Sequence, residues 1–122
     1  NIPEAEGIAG LRIESVDDMT EAAKRIAELG AEVVVVKGGH LPRDDAVDVI
    51  YHQGRVQHHR RRRVGYALHG SGCTFSAAIA SLIAMGNSPL QAVKRAEKLM
   101  DKALKASVPV GRGRVPVNSL VW

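Results

Sequence analysis

The stretch Gly70-Ser71-Gly72-Cys73 combines residue types that could bind an anion and accept a proton. Its two glycines stand directly before an apolar run, 75–85, that predicts a helix. Glycine lets a backbone approach a ligand closely, and the first N–H groups of a helix carry its positive dipole end without internal partners. A cysteine at such a helix start favours its thiolate form. The motif predicts a phosphate-type anion site with a candidate base, and the alternative is a tight strand-to-helix turn with a buried cysteine.

These residues need strands and helices to position them, and the apolar pattern predicts both. In chain order it predicts a helix over 16–29 capped by Ser15, a buried strand over 33–36, a hairpin of strands 46–51 and 55–59, and helices that end at about 85 and begin at 89. Four consecutive β-branched residues, Val33–Val36, indicate a strand with two apolar faces, and therefore an interior parallel strand. This order of helices and strands predicts an α/β layered fold.

The composition limits the class of protein. The 122 residues suffice for one domain with a core, and the single cysteine excludes an internal disulfide framework and fits a reducing compartment. No apolar run of about 18 residues predicts a membrane span, and the N-terminus shows no signal-peptide pattern. We therefore expect a cytoplasmic protein without membrane contact. Because the chain begins at Asn1 rather than Met, we expect a processed or trimmed chain or a piece of a longer one.

The run Arg60–Arg63 supplies much of the net charge of +4. Such a run could bind nucleic acid or another anion, or it could be a solvated strand edge. With only one Trp, two Tyr and one Phe, the chain has few aromatic side chains on which bases could stack, which argues against nucleic acid. Because side chains alternate along a strand, we expect two of the arginines on each face, most of them exposed or paired with carboxylates.

Four blocks in chain order resemble the phosphomethylpyrimidine kinases of thiamine biosynthesis, which belong to the ribokinase-like superfamily. They are Asn1-Ile2-Pro3-Glu4, Val36-Lys37-Gly38-Gly39-His40, His69-Gly70-Ser71-Gly72-Cys73-Thr74, and Gly111-Arg112-Gly113 followed by Pro116-Val117-Asn118. The resemblance covers the C-terminal half of such a kinase. It implies that residues 1–122 are a nucleotide-binding C-terminal half whose N-terminal half is absent, with an α/β fold in which helices flank a mostly parallel sheet. Departures from the family pattern include Leu68 before the histidine and Ser119 after Asn118.

The resemblance implies transfer of a phosphoryl group from ATP, with Mg²⁺, to hydroxymethylpyrimidine or its monophosphate. By this resemblance, Cys73 stands where sugar-kinase relatives carry an aspartate base, and its thiolate would remove the proton from the substrate hydroxyl. The backbone amides of Gly70, Ser71, Gly72 and Cys73 would form the anion hole. From the residues alone, a lone cysteine that opens an apolar helix is more often structural.

Other blocks would bind the nucleotide and the metal ion. The nucleotide-binding candidates are Lys37, Gly38, Gly39, Gly111 and Gly113, with His40 as a further phosphate contact or a turn cap. Glu4 would hold Mg²⁺ through water, with Asn1 orienting the same network. The alternatives are a solvent-exposed lysine at a strand end for Lys37 and a first-turn helix acid for Glu4.

Two other functions remain open. One is a non-catalytic nucleotide- or anion-binding fragment, and the other is a related vitamin kinase that acts on pyridoxal. A cysteine hydrolase is disfavoured, because no family-type spacing joins Cys73 to His40, His52 or His69. Beyond a small pyrimidine substrate, we expect the chain to pair with a missing N-terminal half or with a second copy, because half of a layered sheet leaves a strand edge unpaired.

Overall fold

The computed structural model describes residues 1–39, 41, 45–63 and 68–121, which divide into two compact units, Asn1–Arg63 and Val64–Trp122. The first unit contains α1 (Ile2–Ala9), α2 (Val16–Ala27), β1 (Val33–Lys37), β2 (Asp45–His52) and β3 (Arg55–Arg62). The second contains β4 (Leu68–His69), α3 (Ser71–Ala84), α4 (Pro89–Lys105) and β5 (Val115–Pro116). The predicted α/β class, with helices flanking sheets, is confirmed. Within these described ranges, no helix is both long and apolar enough to cross a membrane.

Helix α2 covers one face of the sheet in the first unit. Ser15 caps it as predicted, because its hydroxyl accepts the N–H of Asp18 at 3.1 Å. The inward stripe of α2 (Met19, Ala22 and Ala23) is fully buried in the core that also contains Val36. The prediction that this helix continues to residue 29 is wrong. The helix ends at Ala27, and the Leu29 side chain is 74% exposed.

The sheet of the first unit is antiparallel, with the strand order β1-β2-β3. The prediction that Val33–Val36 form an interior parallel strand is therefore wrong: within the described residues, β1 is an outer strand that pairs only with β2. The link between β1 and β2 is also shorter than the dozen or so residues that a parallel crossover needs. The predicted Gln53-Gly54 turn is confirmed, since both residues have positive φ, 48° and 76°, as a tight hairpin turn requires.

The arginine run lies on β3 and just beyond its end. As predicted, neighbouring arginines point to opposite faces, and two of them pair with carboxylates. Arg60 forms an exposed ion pair with Asp45 at 3.4 Å, whereas Arg61 lies 2.7 Å from Asp48. The second pair is buried rather than exposed. Arg63 donates a hydrogen bond to the Leu41 carbonyl.

In the second unit, α3 packs against α4, and the short strands β4 and β5 pair in parallel. The predicted start of α4 is confirmed: Ser88 accepts the Gln91 N–H, and Pro89 occupies the first helical position. Gly86, with φ 88°, follows α3 as expected of a residue that ends a helix. The apolar pattern of α4 did not predict that Glu97, only 2% exposed, would lie in its buried stripe.

Candidate active site

The start of α3 presents backbone N–H groups without a side-chain cap. Gly70 is its N-cap residue, in the left-handed conformation (φ 84°, ψ 0°) that glycine adopts without steric penalty. The first α-helical hydrogen bond runs from the Thr74 N–H to the Gly70 carbonyl at 2.9 Å. The N–H groups before Thr74 precede that first bond, and in the described part of the chain no side chain caps them. This is the arrangement that the predicted anion hole requires.

Parallel pairing of β4 with β5 holds this helix start in place. Leu68 pairs with Val115 and His69 with Pro116, and the Val117 N–H donates to the His69 carbonyl at 3.1 Å. Gly70 follows β4 immediately, so the pairing fixes where α3 begins. A parallel strand that leads into a helix through glycine aims the amides of the first turn outward from the strand end.

Cys73 is the third residue of α3, and its side chain is exposed. The strand-to-helix turn of the alternative interpretation is present, but its buried cysteine is not. An exposed thiol at the positive end of a helix is placed for chemistry with a bound molecule. That Cys73 acts as a base stays a prediction.

The strand end at Lys37-Gly38-Gly39 contains two glycines with different surroundings. A Cβ atom on Gly38 would lie 2.1 Å from the Val47 carbonyl oxygen and 2.9 Å from Met19 Cε. Glycine is therefore required at Gly38 by packing, whether or not a nucleotide approaches. Gly39 is exposed, and among the described residues no atom lies within 4 Å of such a Cβ. His40, the candidate phosphate contact, lies outside the described residues.

Asn1 and Glu4 form a capping box at the start of α1. The Asn1 side chain accepts the Glu4 N–H, and the Asn1 nitrogen donates to the Glu4 carboxylate, both at 3.0 Å. The hydrogen bond that the Asn1 nitrogen donates lowers the pKa of Glu4 below its ordinary value, and the charge of Lys37 lowers it further. The carboxylate is thus both a cap and an exposed anion within electrostatic reach of Lys37. Among the described residues, no three His, Cys, Asp or Glu side chains are grouped as a metal cage.

The C-terminal block is fixed by Asn118. Its N–H donates to the Ser107 hydroxyl at 3.1 Å, and its side-chain amide donates to the Ala106 carbonyl at 3.2 Å. These two hydrogen bonds attach the terminal segment to the end of α4. Gly111 and Gly113 are exposed, with open space where their side chains would be.

The predicted site residues divide between the two units. Asn1, Glu4, Lys37, Gly38 and Gly39 belong to the first, and Gly70, Ser71, Gly72, Cys73, Gly111 and Gly113 belong to the second. The sequence interpretation missed Asp48, a fully buried carboxylate that accepts the Gly38 N–H at 2.9 Å. An acidic residue in the otherwise apolar strand 46–51 was the available signal.

Backbone amides at an uncapped helix start, reached from a parallel strand through glycine, are an arrangement with which α/β proteins bind phosphate. The chain belongs to the phosphomethylpyrimidine kinase family, whose model matches residues 1–118. It is 41% identical over 123 residues to a thiamine biosynthesis bifunctional protein of Geobacter sulfurreducens. It is 34% identical to the hydroxymethylpyrimidine/phosphomethylpyrimidine kinase of Bacillus subtilis. These alignments cover 99% and 100% of the chain but 25% and 46% of the relatives, so the chain spans about half of the kinase or less.

Solved structures show the same fold. The pyridoxal kinase of Staphylococcus aureus in complex with AMP-PCP and pyridoxal superposes with a TM-score of 0.92 at 32% identity, over 100% of this chain and 46% of that one. The Bacillus subtilis pyridoxal kinase in complex with ADP gives a TM-score of 0.91 at 35% identity, over 99% and 48%. The chain therefore has the fold of part of a ribokinase-like kinase.

Proposed function

We propose that the protein transfers the γ-phosphoryl group of ATP to hydroxymethylpyrimidine or its monophosphate, as part of thiamine biosynthesis. The observation that carries this proposal is the uncapped start of α3 with an exposed Cys73, in a chain of the phosphomethylpyrimidine kinase family. Curated relatives named hydroxymethylpyrimidine/phosphomethylpyrimidine kinase support the same reaction.

The amides of Gly70, Ser71, Gly72 and Cys73 bind the transferred phosphoryl group in this proposal. Phosphoryl transfer needs positioning and charge stabilisation more than covalent help from the protein. N–H groups fixed at a helix start supply stabilisation without reorganising as charge develops on the phosphoryl oxygens. The left-handed conformation of Gly70 and the β4–β5 pairing hold these N–H groups in place.

Cys73 accepts the proton of the substrate hydroxyl as that oxygen attacks the γ-phosphorus. The thiolate is the form of the side chain that can accept this proton. Exposure gives the thiol access to a bound substrate.

Lys37, Gly39, Gly111 and Gly113 contact the nucleotide, and Glu4 holds Mg²⁺ through water. The structure supports this set through open space where side chains at the three glycines would lie and through the exposure of the Glu4 carboxylate. Mg²⁺ retains much of its hydration and takes one or two carboxylates together with substrate phosphates, so a single exposed Glu4 fits its preference. When bound, the ion neutralises charge on the phosphate oxygens. Gly38 would contribute through its backbone, because the space that a side chain would need there is filled by Val47 and Met19.

A second candidate function is phosphorylation of pyridoxal. It is favoured by the two solved structures described above, which superpose on nearly the whole of this chain and are named pyridoxal kinases. The chain spans less than half of those proteins, and the residues that would select between the two ring systems are expected in the portion that it lacks.

The test is a substrate panel on the intact protein that carries this chain. ADP release with Mg²⁺-ATP is measured with hydroxymethylpyrimidine, its monophosphate or pyridoxal, and AMP-PCP binding is measured by calorimetry. We expect AMP-PCP binding and turnover of both pyrimidines. Turnover of pyridoxal alone would establish the second candidate. Binding of AMP-PCP without any turnover would establish the non-catalytic alternative.

A further inference from the structure

Asp48 is a buried carboxylate to which the proposed reaction assigns no role. It lies near the middle of β2 with 0% exposure. One carboxylate oxygen accepts the Gly38 N–H at 2.9 Å, and the other lies 2.7 Å from Arg61 Nη1. The Arg61 side chain is itself only 15% exposed. A buried ion pair is rarely worth its desolvation for stability alone, so a specific role for the pair has to be considered.

The strand register places this pair next to Lys37. Lys37 is directly opposite Asp48 on β1, and His59 is directly opposite Asp48 on β3. Directly paired residues project from the same face of an antiparallel sheet. Arg61, two residues beyond His59, projects from that face as well. The Asp48 carboxylate therefore lies on the face of Lys37, with its charge compensated by Arg61.

We propose that Asp48 and Arg61 are positioning residues for the Lys37-Gly38-Gly39 strand end, which rests on the proposed role of that segment in binding ATP phosphates. Asp48 holds the backbone of Gly38 against β2 and so fixes where Gly39 and Lys37 meet the nucleotide. Arg61 compensates the charge of Asp48, so that the face presented to the phosphates stays cationic. The two residues thus have different functions: the Asp48 carboxylate fixes the position of the Gly38 backbone, and the Arg61 guanidinium compensates the charge of that carboxylate.

Single and double variants of the intact protein separate these functions. Arg61→Gln removes the guanidinium that lies 2.7 Å from the Asp48 carboxylate and leaves that negative charge opposite Lys37, so we expect the Kd for AMP-PCP to rise about tenfold. Asp48→Asn combined with Arg61→Gln removes both charges, while the side-chain carbonyl of the introduced asparagine still accepts the Gly38 N–H. We expect that double variant to bind within about threefold of the unchanged protein.

A third variant tests the geometric role at constant charge. Asp48→Ala combined with Arg61→Gln carries the same charge as the double variant with asparagine but lacks the acceptor for Gly38. We expect at least about tenfold weaker AMP-PCP binding than in the double variant with asparagine, with circular dichroism confirming that both are folded. This comparison decides the proposal even where Arg61→Gln alone does not fold.

The matched control is Arg60→Gln, on the opposite face, whose ion pair with Asp45 is exposed. We expect its Kd for AMP-PCP to stay within about twofold of the unchanged protein. Equal AMP-PCP binding by the two folded double variants would overturn the positioning proposal and leave the proposed function intact. Failure of the unchanged protein to bind AMP-PCP would overturn both.

Discussion

At the α3 start, the proposed anion hole consists of backbone amides and the candidate base is a side chain, so a substitution can separate their contributions. We expect Cys73→Ala to lower kcat about 10²–10⁴-fold, the usual contribution of a general base, while AMP-PCP affinity stays nearly unchanged. The physical reason is that the amides remain where Gly70 and the β4–β5 pair hold them. Steady-state kinetics and calorimetry on the intact protein measure both quantities.

Cys73→Asp and Ser81→Ala are the informative companions of that variant. Aspartate can accept a proton at the same place, so partial activity is expected. Ser81 lies on the same helix, far from its start, and its loss should leave kcat unchanged. Near-normal turnover by Cys73→Ala would refute the base role.

Gly38 and Gly39, at the end of strand β1, should differ in how substitution by alanine affects stability. We expect Gly38→Ala to lower the free energy of unfolding by about 1–3 kcal/mol, because the new Cβ would overlap the Val47 carbonyl oxygen. Gly39→Ala meets open space and should leave stability nearly unchanged while raising KM for ATP. Urea unfolding and kinetics measure these effects. Equal stability of the two variants would contradict the packing described for Gly38.

At the scale of the elements, α2 depends on a reciprocal cap. The Asp18 carboxylate accepts hydrogen bonds from the Ser15 N–H at 2.9 Å and from the Ser15 hydroxyl at 2.7 Å. We expect Ser15→Ala to lower the free energy of unfolding at neutral pH by about 1 kcal/mol, the usual loss for a serine N-cap. Urea titration of each variant gives the difference.

The same cap makes a prediction about pH. The hydrogen bond from the Ser15 hydroxyl lowers the pKa of Asp18 below its ordinary value. Stabilisation by this carboxylate is therefore present above the ordinary aspartate pKa and is lost as the pH falls through the lowered value. Asp18→Asn should be less stable than the unchanged protein at neutral pH, and the difference should vanish in acid. Asp17→Asn, a first-turn neighbour, is the control, and an equal pH dependence in both variants would argue against the assignment.

What the sequence could predict among the elements follows from how locally each feature is determined. Ser15, Ser88 and Gly86 mark helix ends, because caps and left-handed residues act on the adjacent turn. Whether β1 pairs in parallel or antiparallel was not predictable from Val33–Val36. A run of valines indicates that a strand is buried, whereas the direction of pairing depends on a different strand. Side-chain alternation predicted that the arginines lie on two faces. It did not predict that Arg61 would form a buried pair with Asp48, because that contact depends on a neighbouring strand.

The site shows the same division. The α3 start was predictable, because two glycines and a helix pattern are contiguous in the chain. The packing of Gly38 and the role of Asp48 were not, since each depends on contact between strands distant in sequence. Residue types indicated which atoms could act, and only the fold shows which neighbours surround them.

At the scale of the whole molecule, we expect the chain to associate with a complementary N-terminal half or, failing that, with a second copy. Within the described residues no strand covers the outer edge of β1, and an open edge promotes pairing between chains. Large apolar side chains are also exposed, among them Leu29, Met85 and Leu120 at 74%, 74% and 89%. Light scattering coupled to size-exclusion chromatography measures the mass. A monodisperse monomer of the chain alone would contradict this expectation.

The parallel pairing of β4 with β5 has a consequence for the order of folding. Strand β1 pairs with β2, and β2 pairs with β3, so each of these pairs joins strands that are consecutive in the chain, whereas Leu68 pairs with Val115 across nearly the whole second unit. Closing a long loop loses chain entropy before any contact compensates, so non-local pairs form late. The turn at Gly70–Cys73 emerges from the ribosome well before strand β5. Until β5 has been translated, a nascent chain therefore carries the Gly70–Cys73 motif without the strand pairing that fixes it, and we expect the proposed nucleotide binding only after that pairing has formed.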